Sequence, residues 1–533
     1  MFTFAKQSTG LRLFALLSKI FATLMLVLPS LSLAATCPEL PGDPNSWKEQ
    51  ERWVWMNICS GRVADLRVVG GIDDPGGAKD WPPKRELSQR FLETILFSDP
   101  YRSSIPRQGV KIIGARFRET VDLSHAKLDR DLWLTNSSFE GTSADEALNL
   151  VGAEISGHLN LAGSTASRRI NMDSLHAGTL SMGGGPARGK SWLRSRWDSI
   201  WLATARIDIK LDVSDSTVDR EFQMTNLEVG KDLNIYNSTL TQVVLRSATI
   251  HGTLAIQGPR RVDDPLLVQK YGCDSNTTPR PNLPAQSLDL TGASVGTLSL
   301  GSLCYGPVDA PENWGAGSVL ILTSASVHTL QDGLCRDGKA DCSPDAWPEH
   351  LKLTGFTYQE LESFDTDREI DIATRPAQWW EKWLKKQEGY SPQSYEYLAA
   401  TLSKLGHQDT AKHILYAGKE RERELAPFPE KIELWFQRVF IGYGYRVYYS
   451  LFWVAGFIVV GAIILRLSRQ GPDNKMPYGI AFSFDMLLPV VKLREYHYKI
   501  DLKGWVRYYF YFHKLMGYIL ASFLIAGLSG LTK

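Results

Sequence analysis

The sequence predicts a mainly β chain: a right-handed parallel β-solenoid followed by a helical adaptor and two transmembrane helices. Three observations carry that reading. Pairs of apolar residues two apart recur at steps of ten or eleven through the middle of the 533 residues, two long uncharged runs lie near the C-terminus, and the N-terminus has the order of an export signal. Lys and Arg number 59 against 58 Asp and Glu, a formal charge of +1, so no global field attracts nucleic acid and no acidic surface mimics it. Apolar residues are 44% and charged residues 22%, which excludes a disordered chain.

Residues 1–35 read as a secretory signal. Lys6, Arg12 and Lys19 precede an uncharged run from Ile20 to Ala35, and Ser32-Leu33-Ala34 places small residues where a peptidase cuts. A capping region, 36–104, follows. Leu87, Phe91, Ile95 and Leu96 recur at helical spacing within it, and a helix over 84–98 is expected to cover the open end of a solenoid, which would otherwise expose unpaired strand edges.

From 105 to 360 the chain repeats one pattern: Val121/Leu123, Leu132/Leu134, Leu148/Leu150, Leu159/Leu161, and so on through Leu351/Leu353, sixteen units in all. Inward pairs two apart demand the alternation of a strand, because a helical face would place them on different sides. Each unit therefore supplies two short strand-like faces, apolar at its first, third, sixth and eighth positions. Two units make a coil of about 21 residues, and coils stacked at ~4.8 Å give about eight turns of a rod. Ala126, Ala153, Ala205, Ala248, Ala293 and Ala325 are small enough for the corners.

The runs Gly114-Ala115-Arg116-Phe117, Val121-Asp122-Leu123-Ser124-His125-Ala126-Lys127-Leu128 and Leu288-Asp289-Leu290-Thr291-Gly292-Ala293-Ser294-Val295 resemble the pentapeptide-repeat superfamily, in particular its exported, membrane-anchored relatives with degenerate repeats and a two-helix C-terminal membrane region. Tyr390 to Ala399, Leu405-Gly406-His407 and Ala526 to Leu531 are similar to the C-terminal region of those relatives. The resemblance implies the solenoid and the membrane anchor. It implies no common activity, and the family's DNA-mimicking members are acidic, which this chain is not.

The adaptor, 361–426, carries a stripe of Trp379, Trp380, Trp383 and Leu384, read as core packing. Ser391 and Pro392 form an N-cap and N1 pair for a helix to Leu405 with Gly406 past its end, and Asp409 is expected to cap the next helix, to about Glu424. The membrane domain, 427–533, holds the spans 447–465 and 515–532, each uncharged and near the ~30 Å of a bilayer core. Gly517, Gly527 and Gly530 are read as small residues that let helices approach. Nine Lys/Arg from Arg466 to Lys514 inclusive, against three in the twenty residues before the first span, put that loop on the cytoplasmic side. Trp435, Phe436, Phe440, Tyr443 and Tyr445, and then Trp505, Tyr508, Tyr509 and Tyr511, read as interfacial belts before each span. The expected location is thus a bacterial cytoplasmic membrane, multi-pass, with 36–446 exported.

All six cysteines, Cys37, Cys59, Cys273, Cys304, Cys335 and Cys342, fall in the exported part, where an even count reads as disulfides. Fifteen connectivities are open; nearest-neighbour pairing, Cys37–Cys59, Cys273–Cys304 and Cys335–Cys342, is the expected one. No catalytic, metal or cofactor motif assembles. Gly70-Gly71 and Gly183-Gly184-Gly185 lack the context of a phosphate loop, and the histidines are scattered, with His125, His158, His176 and His251 at solvent-facing or corner positions of the units. The apolar segment 477–491, interrupted by proline and containing Asp485, is expected to lie on the inner leaflet, with a re-entrant dip as the alternative.

These readings converge on a non-enzymatic, membrane-anchored scaffold or binding protein, without cofactor. Its partners are membrane lipid and an unidentified protein or envelope polymer; homo-oligomerisation is open and nucleic acid is not expected. The alternative is a subunit of an oligomeric channel with a re-entrant 477–491, in which Asp485 faces water.

Overall fold

The computed structural model describes residues 37, 47–68, 81–142, 145–187, 192–257, 285–301, 314, 317–333, 344, 347–363, 372–446, 448–476, 479–488 and 492–528. The signal, Cys273, Cys304, Cys335, Cys342 and residues 529–532 of the second expected span lie outside these. The chain divides into two compact units, 1–197 and 198–533.

In the first unit, a helix Glu49–Cys59 (α1) precedes the expected capping helix, which spans Gln89–Phe97 (α2). Ser88 caps α2, its hydroxyl accepting from the Phe91 amide at 3.2 Å, and Phe91, Leu92, Ile95 and Leu96 are buried. The buried Glu51 carboxylate accepts from the Ser88 amide and hydroxyl and from the Lys48 amide, so one side chain ties the start of α1 to the start of α2. Cys37 and Cys59 are joined in a disulfide that fixes residue 37 to the end of α1.

The coils of this unit are parallel strands in register. Val110 sits beside Leu132, Leu132 beside Leu159, and Leu159 beside Leu180, while Phe117 sits beside Phe139. The partner spacing is 21 to 23 residues, two repeat units, where coils follow directly, and 27 or 31 where residues are inserted between them. An edge strand, Ala64–Asp65, pairs with Ile112 and Ile113.

The second unit repeats the arrangement. Leu211, Leu233, Leu254, Leu298, Leu330 and Leu361 stack in one parallel sheet, and Leu240, Val243, Leu288, Leu320 and Leu351 lie in the opposite one. Where partners are 31 to 45 residues apart, the excess is insertion between coils. Every residue of the sixteen repeat pairs is at most 2% exposed, so the pattern read from the sequence is the core itself.

The corners show how each unit bends. Two residues past the second inward side chain the backbone turns left-handed, at His125, Asn136, Gly152, Gly163 and Ser174 in the first unit and at Thr204, Asp215, Asn226, Asn237, Ser247, Gly292, Ser324 and Gly355 in the second. The next amide then donates to the carbonyl three residues back, as from Ala126 to Leu123 and from Ala248 to Leu245. This is a type II turn, which needs positive φ at its third residue; Gly, Asn, Asp and Ser tolerate it best. The small residues expected at corners close these turns. The sharp bend therefore falls inside each unit, and strands such as Glu154–Asn160 and Thr249–Gln257 run from one unit into the next through a bulge. Gly252 sits at the second of these bulges and Gly296 faces it from the next coil, because a Cβ there would fall 2.7 and 2.5 Å from a carbonyl oxygen of the coil before.

Helices Ala377–Lys385 (α3), Pro392–Lys404 (α4) and Gln408–Leu425 (α5) close the last coil. The Trp379, Trp380 and Trp383 stripe is buried, and Trp383 meets Trp347 edge-on at 5.4 Å. A buried ion pair, Arg375 to Asp332 at 2.5 Å, is completed by the Trp347 indole donating to Asp332 at 3.0 Å. Polar groups of the adaptor satisfy the coil edge: the Gly355 amide donates to Gln393, the Gln393 amide group to the Phe356 carbonyl, and the Tyr397 hydroxyl to the Tyr358 carbonyl. Ser391 and Pro392 take the expected N-cap and first helical positions of α4, the Ser391 side chain making no capping hydrogen bond. One expectation needs correction: His407, not Asp409, is the N-cap of α5; Asp409 lies within the first turn, where a carboxylate favours the positive end of the helix dipole.

Helix Phe428–Ile441 (α6) ends at the left-handed Gly442 and leads to Tyr449–Leu467 (α7), the one helix among the described residues long and apolar enough to cross a membrane. A short helix Ile480–Leu487 (α8) and a long one, Trp505–Leu528 (α9), follow. The aromatic residues expected to precede the second span, Trp505 to Tyr511, are the first two turns of α9 rather than its approach.

Candidate functional site

Two regions stand out, one on the coil surface and one around α8. In the second unit the outward positions of three successive coils carry hydroxyl residues in register. Ser294 lies beside Ser326, and Ser326 beside Thr357; Thr297 lies beside Thr329. At the preceding turn the carbonyls of Thr323 and Thr354 receive the amides of Gly292 and Ser324, so Thr291, Thr323 and Thr354 stand in a third file at the same turn position. Ser294 and Ser326 are exposed; Thr329 is buried and donates to Glu360 at 3.3 Å. One coil earlier the file begins with Thr249 and Thr253. Parallel in-register stacking, at ~4.8 Å per coil, converts a sequence repeat into rows of one side-chain type.

Other outward positions are occupied by local chemistry. Asp122, Asn149, Asn160, Asn171, Asp212 and Asp289 each accept from the amide two residues on, an Asx turn that settles the entry to the corner. Burial alone would push the Asp289 carboxyl up, but the Thr291 hydroxyl and amide and the Arg246 guanidinium hold it below the usual carboxylate range. Arg206 pairs with Glu228 at 2.9 Å, and His251 stands 3.6 Å from the same carboxylate.

The expected histidine positions divide. His125 occupies a left-handed corner, and His176 and His251 are exposed. His158 is half-buried, 2.8 Å from the Ser181 hydroxyl and edge-on to Trp133, and burial lowers its pKa against the opposing pull of Asp131. Among the described residues no group of three or more His, Cys, Asp or Glu could hold a metal ion. A cleft of about 500 Å³ in the first unit lies between the Asp99–Ile105 segment and coil residues 127–131, and the charges around it pair with one another, Lys127 with Glu154 and Lys111 with Asp131.

Around α8 the sequence pointed to one residue, Asp485, and the structure assembles several more. Asp485 has no exposed surface. Its Oδ1 accepts from the Leu493 amide at 2.9 Å; its Oδ2 accepts from the Arg494 amide at 3.2 Å and lies 2.9 Å from His497 Nδ1. The Tyr498 hydroxyl donates to the Asp485 carbonyl at 3.1 Å. Asp485 thus closes the chain that returns after α8, and faces protein rather than water. On the other side of α8, His513 Nε2 lies 2.9 Å from the Ser483 carbonyl and 3.5 Å from the Ser483 hydroxyl, and the Tyr509 hydroxyl lies 3.3 Å from His513 Nδ1. Nε2 must carry its proton to reach a carbonyl, so this nitrogen is no base for the serine. The cluster clamps α8 and does not form a nucleophilic dyad.

Glycines set how closely α8 approaches its neighbours. A Cβ on Gly461 of α7 would fall 2.2 Å from the Ser483 hydroxyl, and one on Gly517 of α9 would fall 1.9 Å from the Leu487 carbonyl oxygen. Gly517 accordingly serves the short helix. His497 and His513 were not singled out from the sequence; Asp485 and His497 are twelve residues apart, a spacing that no local periodicity connects. Compared with known proteins, the chain matches no family model, no curated protein and no solved structure.

Proposed function

We propose that the chain is a membrane-anchored, non-enzymatic scaffold that presents a right-handed, pentapeptide-like solenoid on the exported side of a bacterial cytoplasmic membrane and binds an envelope polymer through its outward ladders. The observation that carries this reading is the in-register hydroxyl array of residues 291–357. Equally spaced rows of small polar side chains match a repeating polyhydroxylated chain, and they offer no enclosed pocket in which to stabilise a transition state.

The anchor reading rests on exposed apolar surface. Leu451, Phe452, Val459, Val460 and Ile463 of α7 are 46–70% exposed, and Leu515 and Ile525 of α9 are 57% and 67% exposed, an apolar surface of the kind a lipid phase accepts. On α6, Phe428, Ile432, Trp435 and Phe436 form an exposed stripe at helical spacing, as suits a helix lying at the interface. With Asp485 committed to two amides and His497, the channel alternative lacks the water-facing carboxylate it requires.

Sedimentation of the detergent-solubilised full-length protein with isolated cell-wall polymer tests the binding role. The native protein should pellet with the polymer, and Ser294→Arg with Ser326→Arg should stay in solution. Equal pelleting of both would remove the array from the function. Topology is tested separately: a reporter fused at residue 470 should be active only in its cytoplasmic form.

A further inference from the structure

The short helix α8 does not lie flat beneath α7 and α9. Gly479 at its start contacts Leu465 and Ala462 near the end of α7, Ser483 contacts Gly461, and Leu487 at its end contacts Gly517 of α9. Gly517 is four residues further along α9 than His513, the partner of Ser483. Helix α8 therefore advances alongside the long helices, away from the basic rim. The returning chain is held at that level, since the amides of Leu493 and Arg494 bind the Asp485 carboxylate.

That geometry carries Lys492 toward the ring of Tyr498, which Lys514, the last charged residue before the uncharged run of α9, also approaches. The two ammonium groups converge on one ring: Lys492 Nζ is 5.3 Å and Lys514 Nζ 5.5 Å from the centre of Tyr498. Tyr498 is itself held by its bond to the Asp485 carbonyl, so the ring is a fixed platform. Among the described residues neither lysine makes an ion pair, and both oxygens of the nearby Asp485 are already engaged. Two ammonium groups held within 5.5 Å of one ring without an ion-pair partner, at the edge of a membrane phase, are costly unless an anion lies beside them. The surface around them is apolar and aromatic, with Leu493, Tyr511, Leu515 and Tyr518 47–64% exposed.

We infer that Lys492, Tyr498 and Lys514 form a binding site for the phosphate headgroup of an anionic phospholipid. The charges select the phosphodiester, and the exposed Leu515 and Tyr518 receive the glycerol and upper acyl chain, which inorganic phosphate lacks. Basic pockets beside membrane helices on the cytoplasmic side are suited to such headgroups. The inference rests on the membrane reading of α7 and α9.

Native mass spectrometry of the full-length protein, released from detergent micelles doped with phosphatidylglycerol or with phosphatidylcholine, tests it. The native chain should retain phosphatidylglycerol in preference to phosphatidylcholine. Lys492→Gln with Lys514→Gln should lower that retention roughly tenfold or more. The arginine pair at the same positions should preserve it, and Lys475→Gln with Lys503→Gln, exposed elsewhere in the loop, should leave it unchanged. Equal retention of the two lipids, equal retention by the Lys492/Lys514 glutamine variant, an equal loss in the Lys475/Lys503 variant, or displacement of the lipid by excess inorganic phosphate would each overturn the site. Extraction of the chain from membranes by alkaline carbonate would instead overturn the anchor reading beneath it, and an integral protein with no lipid preference would overturn the site alone.

Discussion

Replacement of Leu233 by alanine probes the solenoid where its geometry is most constrained. Leu233 is fully buried and lies directly between Leu211 and Leu254 of the adjacent coils. The strands on either side are locked by ladder hydrogen bonds, so the space left by the lost methyl groups has little freedom to collapse. Leu→Ala changes at buried sites cost about 3 kcal/mol or more under such conditions, through lost transfer free energy plus the cavity. In a repeat structure that cost appears in the local opening of the affected coils. Hydrogen exchange of the full-length protein, followed by mass spectrometry over 228–257, should show protection lower by roughly a hundredfold, the equivalent of about 3 kcal/mol. Leu233→Met, which nearly conserves volume, should stay within about tenfold of the parent. Leu233→Asp should be worse than alanine, because the carboxylate would have no partner. Protection unchanged in the alanine variant, together with a protease-resistant aspartate variant, would refute the interior placement of Leu233 and with it the coil register.

The outward Asn160 should accept Asp with no measurable loss, since either side chain accepts from the Ala162 amide, while Asn160→Leu should cost about 1 kcal/mol in urea unfolding of the coil. Because the folded Asp289 carboxyl titrates below its unfolded value, its stabilising contribution is present above about pH 4 and is lost as pH falls through the folded value; Asp289→Asn should flatten that acid loss in a stability profile followed by proteolysis. Gly517→Ala should lower the melting temperature of the detergent-solubilised protein, at a cost of about 1–3 kcal/mol for a backbone collision that α8 must move to relieve, whereas Gly456→Ala, with nothing within 4 Å, should be neutral or stabilising.

What the sequence determined by itself was the periodic part of the molecule. Leu and Ile at fixed offsets can satisfy an interior only in one alternation, so the sixteen pairs marked the core before any coordinate, and the uncharged run through Val447–Leu465 marked the apolar helix that spans Tyr449–Leu467. The capping helix was legible for the same reason, while α1 was not singled out although Val54, Trp55, Ile58 and Cys59 also repeat at helical spacing. Tertiary structure alone decided the rest. The place of the sharp turn within each unit depends on which residue can sit at positive φ beneath the coil above, and Asn, Ser, Thr and Gly at those positions look, in sequence, like ordinary surface. Asp485 read as a lone carboxylate in an apolar stretch; its partners Leu493, Arg494 and His497 are brought to it by a chain reversal that hydrophobic patterning does not encode. Lys492 and Lys514 are twenty-two residues apart and unremarkable among nine basic residues, until the clamp of α8 by Asp485 and His513 brings both to one tyrosine ring. Periodicity reports which side of an element is buried, but long-range polar contacts depend on which elements meet, and that is set only when the chain is packed.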